Sequence, residues 1–486
     1  MSRNGQVCLL VVFLGLMLLS LGVVSTSNTI ADVSEVSHPD VETTTDLNLE
    51  RQSVVSYINH DPIYIEGDSE FLATAAAEGW PGDGTSGNPI RITELRIEST
   101  VNDENCIFIS STSLYFVIES CYLSGATGVD LYGEVGGIHL VDVMNGHILN
   151  NVLVDNSVGI GLGITDISLS GLGSSQIIIE RNTINYGGIG VGLFSSSFNT
   201  IFHNNILGGS IFLWRSSDNT IEQTESVDSR IENHGSSRNV IRNNELGIGQ
   251  ILVRYILDRE TSEVIGSHEL TITNNGVSAI DLLGSNDTLV DMNTVSFPGG
   301  QNGIMITECA RTTLSNNEVF DSSLSGLIVA ASQDILVTGN KIFACGDGIQ
   351  IISSERTTIT DNGLMNNGGW GLALGDTTDT AVYDNAFLYN GQNAFVSASE
   401  ITAPIVGNLW SDYTGVDANN DGIGDTPYVG DGFEDSTPWV HLSGYHLAIE
   451  INDDLDFYTQ ALDEGWPGDG SAGNPYIIEN YVISGG

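Results

Sequence analysis

The chain has 486 residues, with 62 acidic residues against 14 Lys and Arg and a formal net charge of -48. A surface of that sign repels nucleic acid and anionic lipid headgroups, so neither is an expected partner, while it attracts divalent cations and stays soluble in salt. The 57 glycines against 10 prolines suit one long repeat domain built from many tight turns.

The N-terminus carries Arg3, an apolar run from Val7 to Val24, and then Ser25, Thr26 and Ser27. This pattern predicts a signal peptide or N-terminal anchor over residues 1–25, hence a secreted or cell-surface protein whose only membrane contact is that segment. Residues 26–60 are polar and acidic and read as a linker. The next segment, Glu78-Gly-Trp80-Pro-Gly-Asp83-Gly-Thr-Ser-Gly-Asn88-Pro89, follows a helical pattern through Phe71, Leu72 and Ala75. It returns 386 residues later as Glu464-Gly-Trp466-Pro-Gly-Asp469-Gly-Ser-Ala-Gly-Asn474-Pro475. Such a module would cap the open first coil of a solenoid, and its copy at 446–486 predicts the start of a second, truncated β-helix domain.

Between the two copies a short pattern recurs: Gly, aliphatic, any residue, aliphatic, then Asn eleven positions later. It is clearest at Gly303-Ile304-x-Ile306 to Asn317, Gly326-Leu327-x-Val329 to Asn340, Gly348-Ile349-x-Ile351 to Asn362 and Gly371-Leu372-x-Leu374 to Asn385. A unit this short cannot bury its own apolar face, so stacking is forced. The alternation within each unit has the two-residue period of a strand with one face buried. The fold class expected is therefore all-β, a right-handed parallel β-helix of about a dozen coils over residues 61–410, forming a rod of roughly 60 Å. The asparagines expected to stack as a structural ladder are Asn151, Asn182, Asn205, Asn244, Asn293, Asn317, Asn340, Asn362, Asn385 and Asn408, with Cys121 and Thr224 in substituted coils. Asn fits because its amide both donates and accepts and tolerates left-handed dihedrals. Cys106, Cys121, Cys309 and Cys345 show no metal spacing and read as buried small hydrophobes.

An acidic closing loop over 411–445 contains Asp417, Asn419, Asp421, Gly422, Ile423 and Asp425. Oxygen ligands at positions 1, 3, 5 and 9, the Ile423 carbonyl at 7 and Gly at 6 match most of a calcium loop, which makes structural calcium the one cofactor expected. Position 12 is Tyr428, so Asp431, Glu434 or Asp435 would have to fold back. Trp214 and Trp370, in loops beside outward Phe212 and Met305, could stack on sugar rings. The outward first-strand positions His139, Gly192, Phe212, Asp281, Met305, Ile328, Gln350 and Ala373 hold a single carboxylate, and Asp347 has no acidic neighbour, so no catalytic set is apparent.

The run Asn408-Leu-Trp410-Ser-Asp412 through Asp425-Thr-Pro427-Tyr428 resembles the closing segment of the NosD-like right-handed parallel β-helix family, which shares the pectate-lyase-like fold. The Gly-Trp-Pro-Gly-Asp-Gly entry with Asn-Pro resembles the opening of its secreted archaeal and bacterial members. The resemblance spans about residues 62–440. It implies the same rod and raises copper, through the family's link with copper delivery, but His139, Met305, Met144 and His147 do not converge on a copper site in the sequence. The reading is an exported acidic scaffold that binds a polysaccharide or cell-envelope component without catalysis; the alternative is a polysaccharide lyase or glycoside hydrolase.

Overall fold

The computed structural model describes residues 56–486 apart from 131–132, 165–171, 186, 259–260, 297–298, 398–404 and 420, and, past residue 440, apart from 441–444, 447–450, 452–456, 459–460, 462–465, 479–481 and 484–486. The expected signal or anchor and most of the acidic linker lie outside the described residues. Among those described, no helix is long and apolar enough to cross a membrane.

Three parallel sheets run the length of the rod, each strand pairing with its counterpart one coil on. The front sheet has fourteen strands, from Ile63–Glu66 (coil 1) to Gln392–Ser397 (coil 14); the second has fourteen, from Ile90–Thr93 to Ile405–Val406. The third is broken into two sets of seven, joined through isolated bridges at Glu245 to Glu225 and Gly276. Crossovers between parallel strands take the right hand. Ile, Leu and Val from all three sheets fill a single continuous interior, and inward residues such as Ile304, Ile306, Leu314 and Val319 are fully buried. The repeat's leading glycine has a packing reason. A Cβ on Gly303 would come within 2.4 Å of Val319, and one on Gly326 within 2.3 Å of Ile342, so only glycine lets the front strand approach the third sheet.

The ladder is present, with one position moved. The amide oxygen of each ladder Asn accepts the backbone N–H and the side-chain amide of the Asn one coil earlier, as Asn340 does for Asn317 at 3.0 and 2.9 Å. Asn182 bonds Asn204, not Asn205, at 3.0 Å. Asn205 starts the next strand and is exposed, because in that coil the eleven-residue offset from Leu193 ends at Asn204. Asn275 is a further member, accepting from Asn244 and donating to Asn293. Cys121 and Thr224 stand where expected, each passing its backbone N–H to the next Asn. Left-handed dihedrals fall one residue earlier than expected, on Asn150, Arg181, His203, Gln223, Asn243 and their counterparts. The ladder asparagines themselves keep negative φ. The column ends on Asp435, whose buried carboxylate accepts the N–H groups of Gly407, Asn408 and Thr437 and the Trp410 indole.

Helix Gly67–Glu78 closes coil 1 with Phe71 and Ala75; Leu72 is turned outward. The turn after it is held by Asp83, which accepts from Thr85 N and donates its own N–H to Asn88 O. Its copy makes the same bonds, Ser471 N to Asp469 and Asp469 N to Asn474 O. Asn59 pairs Arg96 in the first module and Tyr445 pairs Val482 in the second, the same positions under the 386-residue offset. At the far end, Phe387, Trp410 and Tyr428 stack nearly parallel, with centroids 4.4 and 4.5 Å apart, and plug the last coil.

Candidate functional site

Outward residues of the front sheet form one unbroken register column: Gly192, Phe212, Glu232, Leu252, Asp281, Met305, Ile328, Gln350, Ala373 and Phe395. Its environment changes partway. In coils 2–5 the outer face is covered: Phe108 is 1 % and Phe194 3 % exposed, and His139 is fully buried with Nε2 2.8 Å from the Gly163 carbonyl. From coil 6 onward the column is half-exposed.

Where the face opens, aromatic and charged groups meet. Phe212 and Trp214 are both on strand Ser210–Trp214, so Trp214 is a strand residue and not part of a loop. Their rings lie 6.3 Å apart at 18°. His234, one coil on, contacts both, at 5.0 and 5.9 Å, and sits 3.2 Å from Glu232. That contact holds the Glu232 carboxyl below its usual range. Beyond it Arg254 pairs with Asp281 at 2.6 Å, and burial pushes the Asp281 carboxyl up although the guanidinium pulls it down. Hairpin Ile256–Ile265 flanks the face, its Asp258 carboxylate paired with Arg215.

Trp370 also begins a front strand, Trp370–Gly375, and packs against Phe395 at 5.0 Å. Asp347 is explained by structure: its carboxylate accepts Trp370 N and the Gln350 side chain, both at 2.7 Å, and ties coil 12 to coil 13.

Glu232, His234, Leu252 and Arg254 belong to coils 7 and 8, which the repeat conceals. In coil 7 buried Asn233 replaces the second aliphatic residue, satisfied by Ser236, Ser267 and Asn239. In coil 8 the hairpin separates Val253 from Asn275. The available signal was the return of Ile211, Ile231 and Ile251 every twenty residues.

The acidic loop is closed by its own amides. Asp417 accepts the N–H groups of Asp421 and Gly422, Asn419 that of Asp421, Asp421 that of Ile423, and Asp425 that of Ala418. Gly422 takes the left-handed φ of 84° required by the sharp turn. Tyr428, at the twelfth position, reaches Asp412 instead, and Asp435 is committed to the ladder, so neither completes a calcium set. No three of His, Cys, Asp and Glu converge among the described residues. The four described cysteines are free and buried, and burial pushes the thiols up, Cys106 and Cys309 to about 11 and Cys121 to about 12, the opposite of what metal-binding thiolates need. The described residues do not fit a copper site.

Residues 217–415 match the family model described as periplasmic copper-binding protein (NosD). No curated protein sequence matches the chain. Among solved structures, the A-module of the Azotobacter vinelandii mannuronan C-5 epimerase AlgE4 is 12% identical, with 68% of this chain and 93% of that one covered and a TM-score of 0.38. The pre-mature gene product 12 of bacteriophage phi29 is 12% identical, covering 68% and 54%, with a TM-score of 0.48. Tailspike protein 3 of bacteriophage CBA120 is 12% identical, covering 71% and 59%, with a TM-score of 0.40. The architecture rests on the chain's own strand pairing. That pairing makes the chain a parallel β-helix, and over residues 217–415 its repeat is similar to that of the NosD family.

Proposed function

We propose that the protein is an exported rod that binds carbohydrate on the open outer face of its front sheet. The observation that carries this is the half-exposed Phe212–Trp214 pair, flanked by Glu232, His234, Arg254 and Asp281. Ring faces supply apolar area for the C–H side of a pyranose, and neighbouring carboxylate and guanidinium groups supply hydrogen bonds to its hydroxyls. Export is supported by the apolar run Val7 to Val24 and by the periplasmic description of the matched family. Titration calorimetry with short neutral oligosaccharides tests the reading. Trp214→Ala is expected to weaken binding about tenfold, as for loss of one stacking contact of ~1.4 kcal/mol. Equal affinity of wild type and variant would overturn it.

A second reading, glycoside hydrolysis, is favoured by one observation. Glu232 and Asp281 are the two carboxyls of the open column. Two coil steps set their strands roughly 10 Å apart, near the separation used by inverting enzymes. A reducing-end assay on mixed polysaccharides decides: turnover lost in both Glu232→Gln and Asp281→Asn establishes catalysis, and no turnover by the wild type removes it.

A further inference from the structure

We infer that the open front face is one continuous track for a neutral polysaccharide chain lying along the rod, gripped by two aromatic stations. This rests on the carbohydrate reading above and extends it to the charge and length of the ligand.

The stations are Phe212 with Trp214 on coil 6, and Trp370 with Phe395 on coils 13 and 14. Seven coil steps separate Trp214 from Trp370, which at the strand spacing of about 4.8 Å is roughly 34 Å. The column between them is in unbroken register and contains Glu232, paired with His234, and the half-exposed, uncharged Leu252, Met305, Ile328 and Gln350. The remaining charge beyond coil 7, Asp281, is neutralised by Arg254.

In a chain of net charge -48, the column carries no charged residue from Met305 to Phe395, over coils 10 to 14. The surrounding field opposes a polyanion, and the strip offers no row of unpaired basic groups to hold one. A neutral chain loses nothing by approaching. The coil rise is also close to the advance of one pyranose in an extended chain, so successive rings meet equivalent positions on successive coils. At the N-terminal end, buried Phe194 and His139 mark where the covered face begins, so the track runs from coil 6 toward coil 14.

Two stations on one rigid rod give a length dependence that a single site lacks. Hydroxyethyl cellulose, soluble xylan and alginate are compared by affinity electrophoresis, and cello- or xylo-oligosaccharides of about three and about ten rings by calorimetry, the longer ones being able to span ~34 Å. The neutral polymers and long oligomers are expected to bind at least ~100-fold more tightly than the short ones. Trp214→Ala or Trp370→Ala alone should reduce long-chain affinity to the short-chain level. Ile328→Asp, between the stations, should weaken long chains at least tenfold and leave short ones unchanged. Equal affinity for short and long chains, or an unaffected Ile328→Asp variant, overturns the track while leaving carbohydrate binding intact. Preference for alginate overturns the neutral class. No binding of any neutral glycan, short or long, removes the carbohydrate reading itself.

Discussion

The inner asparagine column and the outer column of the front sheet run along the same rod, yet one repeats and the other does not. Inside, every ladder residue must satisfy the coil before it and the coil after it, so a change in one coil disturbs its neighbours; Asn, Thr or Cys is the whole range seen, with Asp435 at the end. Outside, a residue answers to water, and the same register carries Phe, Glu, Leu, Asp, Met, Ile, Gln, Ala and Phe. Periodicity therefore marks what holds the rod together. Its absence on the outer face is where ligand recognition can reside.

The difference is tested most severely by Asn340→Ala. Removing that side chain leaves the backbone N–H and side-chain amide of buried Asn317 without their acceptor and also removes the bond to Leu314 O. At about 1–3 kcal/mol for each buried group left unsatisfied, a loss of roughly 3–4 kcal/mol is expected, read as a lower denaturation midpoint. Ala373→Ser, at a half-exposed outer position of the front sheet, should stay within about 0.5 kcal/mol. Equal effects would break the comparison.

How much of this was legible in the sequence follows the same division. Coils with the full Gly-aliphatic-x-aliphatic pattern announced themselves, because burial in an all-parallel stack fixes residue type at each inward position. The Asn204 and Asn205 pair shows the limit: two adjacent asparagines are chemically equal, and only the eleven-residue offset chooses between them. The candidate site was hidden for a physical reason. Coil 7 buries a polar Asn233 in a local network and coil 8 carries a hairpin, so the two coils presenting Glu232, His234 and Arg254 are those in which the inner pattern is interrupted. Both tryptophans were visible as exposed aromatics, but their membership of one face needed the strand register.

A middle-sized effect sharpens the account of the repeat's first letter. Gly326→Ala places a methyl group 2.3 Å from Ile342 Cγ2, with Cys345 Sγ at 3.2 Å, inside a packed interior. Overpacking of this kind costs about 1–3 kcal/mol. The same change at Gly375, whose Cβ direction is open, should have no comparable effect. If the two variants melt together, the glycine of the motif is not a packing requirement.

The smallest effect concerns the few cations of an acidic rod. Arg238, Arg311 and Arg356 each form a two-pronged pair with a carboxylate one coil earlier, Asp218, Asp287 and Asp334, at 2.6 to 3.0 Å. The guanidinium hydrogen bonds hold these carboxyls below the usual aspartate range. A folded-state pKa below the unfolded one means that the stabilisation is complete above the ordinary aspartate pKa and is lost as the pH falls through the depressed value. Thermal melts should thus decline on acidification below about pH 4, and Arg311→Met should flatten part of that slope while changing the neutral-pH midpoint less than either substitution above. Because these pairs are exposed, raising the salt to about 1 M should flatten it too. An acid slope unchanged by salt and by Arg311→Met would show that these exposed pairs do not set it.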